Sequence, residues 1–221
     1  LIFDAFRKTA TPRVRSSCPL CKTPLIAKCG SIKVWHWAHE SLEHCDDWWE
    51  PMSQWHYDWQ CQVREELQEI VIGHHIADIK LSSGLVVEIQ HSSLPINVVQ
   101  ERELFYDNMI WIFDGHEFEE RFEQEEKESR FGNTYYTFRW RKPRQYIVQC
   151  TKPIYIDFGN YVFHVKGFNI YTNHSEKWGE YKVYKGWGYR FGKNMILYRT
   201  LFKGDWIGKA EAIIVPESTQ N

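Results

Sequence analysis

The chain has no apolar run long enough to cross a bilayer and no stretch that reads as a signal peptide, so a cytoplasmic protein with no membrane partner is expected. Six cysteines among 221 residues are too few for a disulfide scaffold, which leaves thiols available for metal binding in a reducing compartment. No internal repeat is present, and this excludes a solenoid. The sequence opens on Leu1 rather than Met, so further sequence upstream is expected.

What is present is an ordinary globular composition, 43% hydrophobic and 25% charged, in a chain long enough to bury a sizeable core. Net charge is only −2, yet it is unevenly spread. The first 131 residues carry 13 Lys and Arg against 23 Asp and Glu, whereas residues 132–221 carry 14 against 6. A carboxylate-rich half is thus followed by a half able to approach a polyanion, or simply to present a solvated basic face.

The stretch His74 to Gln90, HHIADIKLSSGLVVEIQ, carries the most chemical information. Two short runs of β-forming residues flank Ser82-Ser83-Gly84, and Gly84 is suited to a left-handed position in the turn. Counting outward from that loop places Asp78 opposite Glu88. Facing Cβ atoms in such a pair lie about 4.5–5.5 Å apart. Two carboxylates at that spacing can share a hard cation such as magnesium, whose oxygen ligands sit at roughly 2.0–2.1 Å. The alternative is a pair of solvated side chains. Against it stands Leu85-Val86-Val87, whose apolar residues fall on both faces and call for a strand covered on both sides.

Upstream, Cys18-Pro-Leu-Cys21 forms a knuckle in which two thiolates can grip zinc, followed by His36, His39 and Cys45. Cys18, Cys21, His39 and Cys45 are the preferred set for a structural zinc ion, with His36 and Cys29 as competitors. Such a four-ligand site leaves no open position for catalysis. From Ser53 as N-cap, the stripe Trp55, Trp59, Val63, Leu67 and Ile70 predicts a helix to about Ile72, with His56 at its edge and Gln60 one turn later. His56 is either a packed boundary residue or one that reaches the acidic hairpin. Ser92 to Pro95 predicts the start of a second helix through Tyr106, and Met109 to Asp114 a buried strand. The charged run Glu117 to Arg130 reads as an exposed helix or linker. Beyond Tyr135, aromatic-rich segments including QYIVQC and MILYRTLF predict a β-rich module. Its runs Arg139 to Lys142 and Lys185 to Arg190 interleave cations with rings, and they serve either as core or as a surface that grips phosphates and stacks bases. Three domains are expected, over 1–49, 50–130 and 131–221.

Taken together, CPLC and HWAH within 18–39, WHYDWQ at 55–60, IAD at 76–78, EIQHS at 88–92, the Glu101-Arg102 pair with Tyr106, and WIFD resemble the competence protein CoiA-like family, a branch of the PD-(D/E)XK nuclease superfamily. FRWRKPR, KPIYIDFG and GWG extend the resemblance toward the C-terminus. It implies an α/β (α+β) restriction-endonuclease-like core with an N-terminal zinc module and a β-rich C-terminal region. It also implies a Mg2+- or Mn2+-dependent nuclease acting on DNA, with single-stranded DNA or RNA as other substrates. Asp78, Glu88 and Gln90 would form the catalytic triad, His56 would face it, and Asp78 and Glu88 would hold the cation. The core implied by the resemblance has one strand more than the elements read above, a strand expected from the C-terminal half. Met52 and Gln60 stand where related sequences carry Glu and Lys, which leaves open a nucleic-acid-binding protein with a decayed nuclease site.

Overall fold

Ser53 caps the first helix as expected: its hydroxyl oxygen accepts the His56 amide at 3.2 Å. The computed structural model describes residues 10–31, 35–40, 46–48, 52–175, 179–193 and 195–207. The chain divides into two compact units, residues 1–84 with 198–221, and residues 85–197. The architecture is mixed α/β, rich in sheet and with few helices. Among the described residues, no helix is long and apolar enough to cross a membrane.

In the first unit, β1 (Ser16–Ser17), β2 (Pro24–Lys28) and β3 (His36–His39) form a three-stranded antiparallel sheet. Helix α1 covers only Gln54–Gln60, where the apolar stripe predicted a helix to Ile72. Two forces end it early. The Gln68 side chain donates to the carbonyls of Gln60 at 3.0 Å and Val63 at 2.9 Å, satisfying acceptors that a longer helix would have used. The β-branched run Ile70-Val71-Ile72 then favours an extended chain, and Gln68–Ile72 is strand β4. It pairs antiparallel with β5 (His75–Lys80). The turn after β5 forms at the expected place, with Gly84 at φ +83° and its amide donating to Leu81 at 2.8 Å.

In the second unit the strand order is β6 (Val86–Gln90), β7 (Met109–Asp114), β10 (Ile154–Asp157), β11 (Tyr161–Ser175), β12 (Gly179–Gly192), β9 (Thr134–Arg141) and β8 (Phe122–Glu128). β6, β7 and β10 are parallel, and the remainder antiparallel. Helix α2 (Ile96–Tyr106), preceded by Pro95 as its cap residue, makes the β6–β7 crossover. Every residue of β6 is buried, as are the first five of β7, in keeping with parallel strands covered on both faces.

Several expectations need correction. The charged run from Glu117 is helical only at its start, as a 3₁₀ helix over His116–Arg121, and continues as strand β8 rather than as helix or linker. Phe118 and Phe122 anchor it in the core, their rings 4.8 and 5.5 Å from that of Trp140, and Glu123 pairs across to Arg141 at 2.9 Å. Gln145–Val148, expected as strand, is the short helix α3. MILYRTLF is helix α4 (Met195–Phe202), because Leu197, Tyr198, Leu201 and Phe202 all bury on one stripe. In the first unit Tyr198 and Phe202 set their rings edge-on to Trp59. Just beyond, Asp205 accepts both the amide and the hydroxyl of Ser82, at 2.8 and 2.7 Å, and so ties down the turn.

The second unit also holds a buried carboxylate with many donors. Glu103 on α2 accepts the Trp111 indole at 2.9 Å, the Thr151 hydroxyl at 2.6 Å, and the amides of Thr151 and Lys152. Removing it would leave the buried Trp111 indole unsatisfied, at about 1–3 kcal/mol, and would release the more exposed donors of Thr151 and Lys152. Glu103→Ala should therefore lower unfolding stability by about 3 kcal/mol in urea titration. A loss under about 1 kcal/mol would show that Glu103 is not the clasp between α2 and the entry to β10.

Candidate functional site

The register of β4 against β5 sets two carboxylates side by side. Gln68 pairs with Ile79 and Ile70 with Ala77, so Glu69 occupies the position across from Asp78. Like charges directly opposed on a sheet repel, and the surroundings answer that repulsion. His56, on α1, brings Nε2 to 3.1 Å from Asp78 Oδ1. Gln60, one turn further along the same helix, donates Nε2 to Glu69 Oε1 at 2.7 Å and to the Asp78 carbonyl at 3.2 Å. The spacing of four puts His56 and Gln60 on one helix face. Glu69 itself sits at φ +52°, an uncommon backbone conformation for a side-chain-bearing residue and one that costs of order 1–3 kcal/mol.

One ligand atom from each of His56, Glu69 and Asp78 falls within 4.8 Å of the others. Two carboxylates and an imidazole are a donor set for a divalent cation, and the imidazole favours manganese over magnesium. The sequence left His56 as either a packed boundary residue or one that reaches the acidic hairpin, and its ring lies beside Asp78. Glu69 is the residue that sequence reasoning missed, because its segment was read as helix. The alternation and β-branching of Gln68 to Ile72 were the signal that could have found it.

The boundary between the two units passes through the turn, so Asp78 belongs to the first and Glu88 and Gln90 to the second. Glu88 is buried on β6, and its Oε2 accepts from Arg102 Nη1 on α2 at 2.9 Å. Arg102 belongs to the Glu101-Arg102 pair singled out in the sequence. Gln90 is also buried and donates to the carbonyl and hydroxyl of Ser92, at 2.9 and 3.2 Å. At the carboxyl ends of β6 and β7, Asp114 accepts from both His91, at 2.7 Å, and His116. Burial pushes the pKa of Asp114 up, but the His116 amide and ring and the His91 ring outweigh it and hold the carboxyl below its ordinary range.

The knuckle forms a second ligand cluster. Its turn is closed by the Lys22 amide donating to Cys18 O at 2.9 Å, with Lys22 at φ +63°. The β2–β3 register sets Leu25 against His39, which returns that histidine to the knuckle. One ligand atom each from Cys18, Cys21 and His39 falls within 4.8 Å of the others, with Cys21 Sγ 3.3 Å from His39 Nε2. Burial pushes the Cys21 thiol up, yet hydrogen bonds from the side chain and backbone of Thr23, from Cys18 and from His39 bring it down to about 6, so it is a thiolate at neutral pH. Burial pushes the Cys18 thiol up. Cys29 is not in this group; its thiol points to the Ala10 carbonyl at 3.6 Å. Cys45 lies outside the described residues, as does the side chain of His36. Three ligands of the set expected for structural zinc are thus assembled.

Residues 7–47 match the family model described as Competence protein CoiA, N-terminal domain, a match that spans the knuckle and the three-stranded sheet and supports that family for this chain. No curated protein and no solved structure matches the chain.

Protein purified without chelator is expected to carry one zinc ion per chain by plasma mass spectrometry, to lose it in Cys18→Ser and His39→Ala, and to keep it in Cys29→Ser. Zinc retained by His39→Ala would contradict the assigned ligand.

Proposed function

We propose that this chain is a competence-related, divalent-metal-dependent nuclease that hydrolyses phosphodiester bonds in DNA, with Asp78 as its central metal ligand. The observation that carries the reading is the convergence of His56, Glu69 and Asp78 on one point in the first unit. A site of oxygen and imidazole donors fits Mn2+ or Mg2+. When bound, such a cation polarises the scissile phosphate and lowers the pKa of water.

The chain's own residues have distinct parts in this reading. Asp78 and Glu69 supply negative charge, and Gln60 holds Glu69 and the β5 backbone in place. His56 adds a neutral imidazole ligand, its Nε2 3.1 Å from Asp78 Oδ1. Glu88 and Gln90 enter by the resemblance, Glu88 as a further carboxylate and Gln90 to orient water. The chain order α1, β4, β5, β6, α2, β7 supports a PD-(D/E)XK core, since β4 supplies the strand that the resemblance calls for. That strand comes from the segment before the turn and not from the C-terminal half. A structural zinc on the knuckle completes the assignment.

Two observations favour a second reading, a nucleic-acid-binding protein whose nuclease site has decayed. Glu88 already pairs with Arg102, and Gln60 brings no positive charge to its place beside Glu69.

The test is cleavage of linear, circular and single-stranded DNA with Mn2+ and with Mg2+. Wild type should cut, faster with Mn2+, and Asp78→Ala and Glu88→Ala should each lose at least about 100-fold in rate while still binding DNA. Binding with no cleavage in either metal would select the second reading, and full activity in Asp78→Ala would overturn the first.

A further inference from the structure

The strand register of the second unit determines which side chains share a face. On β12, Lys185, Trp187 and Tyr189 alternate with Tyr184, Gly186 and Gly188. The second set is turned to the core. A Cβ added at Gly186 would lie 2.7 Å from the Phe138 ring, and one at Gly188 would lie 2.5 Å from that of Phe163. The first set faces solvent, with Trp187 43% and Tyr189 36% exposed.

Pairing carries this open face across neighbouring strands. Trp187 stands against Gly167, Tyr189 against His164, and Lys185 against Asn169 on β11. His164 in turn stands against Tyr155 on β10, and the two rings stack at 4.1 Å. Trp187 and Tyr189 meet edge-on at 5.8 Å, and Tyr135 meets Trp187 at 6.5 Å. Two ammonium groups lie over rings of the same surface, Lys166 at 6.0 Å from Tyr189 and Lys185 at 5.0 Å from Tyr171, itself 45% exposed.

Along β11 and β12 the charge on this face is positive, and beyond β9 the same face continues to Glu123 and Glu125 of β8. β11 contains no acidic residue, and Glu180, the one acid of β12, sits at the far end of the hairpin, 3.5 Å from His174. On β9, by contrast, Arg139 and Arg141 are answered by Glu123. Trp140 is a core residue, so the sequence run Arg139 to Lys142 is not the stacking surface. One amide, Asn169, stands opposite Lys185 on this face. Here the rings are bordered by lysines, the complement of a phosphate backbone with its bases laid flat.

We propose that the open face of β11 and β12, with Trp187 and Tyr189 at its centre and Lys166 and Lys185 beside them, is a platform for single-stranded nucleic acid. The strand is held by base stacking on the two rings and by phosphate contact with the two lysines. This deepens the nuclease reading above and rests on its nucleic-acid substrate.

The test uses the full chain without added Mg2+ or Mn2+, so that cleavage does not intervene, and follows anisotropy of fluorescein-labelled oligothymidylate of about 20 nucleotides and of a duplex of equal length. Base stacking on an aromatic residue is worth about 1–3 kcal/mol, so Trp187→Ala and Tyr189→Ala should each weaken single-strand binding by about 5- to 150-fold. Trp187→Phe should stay within about threefold of wild type, and the double variant Lys166→Glu with Lys185→Glu should flatten the salt dependence. Leu104→Ala, at an exposed position of α2, serves as a control and should bind as wild type does. Unchanged affinity in both aromatic variants, or equal losses on duplex and single strand, would overturn the platform. So would sedimentation showing that Trp187→Ala acts only by dissociating a self-associated chain. A protein that binds through Trp187 yet never cleaves would overturn the nuclease reading and leave this one standing.

Discussion

Two carboxylates set face to face across β4 and β5 are the constraint around which the first unit is arranged. Glu69 and Asp78 occupy opposed positions, and repulsion between them is met from α1 by an imidazole and an amide. That requirement explains features that otherwise look unrelated. The helix must stop at Gln60 so that β4 can begin. The Ser53 cap fixes where the helix starts, and hence which face carries His56 and Gln60. The positive φ of Glu69 is strain in the backbone at the point where the two acids meet. An arrangement that gathers like charge at a cost in stability is one that a cation would relieve, as proposed for this site.

The second unit applies the same physics with a different outcome. Glu88 and Glu103 are buried acids held by positive or hydrogen-bonding partners, Arg102 for one and the Trp111, Thr151 and Lys152 donors for the other. Removing one partner of the buried Glu88–Arg102 pair costs about 3–5 kcal/mol, whereas Glu103 is held by neutral donors. Glu103 is therefore a structural clasp. Glu88 combines burial with the position that the family resemblance assigns to chemistry. The knuckle near the N-terminus solves its own problem through sulfur, with Thr23 and His39 drawing Cys21 toward the thiolate that a metal needs.

Much of this was legible in the sequence where local signals agreed. The Ser53 cap, the Gly84 turn, the Pro95 helix start, the apolar strand Met109 to Phe113 and the knuckle each rest on chemistry confined to a few neighbouring residues. The helix face of His56 followed from the cap, though the sequence left open whether the ring packs at the boundary or reaches the acids. What escaped was decided by tertiary contact. Val63, Leu67 and Ile70 continue a helical stripe by spacing alone, and only the Gln68 side chain reaching back to Gln60 and Val63 shows why the chain turns into β4. With β4 hidden, Glu69 was hidden as well. β8 is masked by its charges, because only Phe122 of its seven residues is buried. α4 mixes strand-favouring residues such as Tyr198 and Thr200 with helix formers such as Leu197 and Leu201, and it becomes a helix by burying Leu197, Tyr198, Leu201 and Phe202 on one side.

The central claim is that His56, Glu69 and Asp78 together hold a divalent cation, and the direct measurement is Mn2+ binding followed by electron paramagnetic resonance on zinc-replete protein. One Mn2+ per chain should bind to wild type, and Glu69→Gln and His56→Ala should each weaken it by at least about tenfold, with zinc content unchanged. Mn2+ affinity indifferent to both substitutions, or no Mn2+ bound at all, would contradict the account.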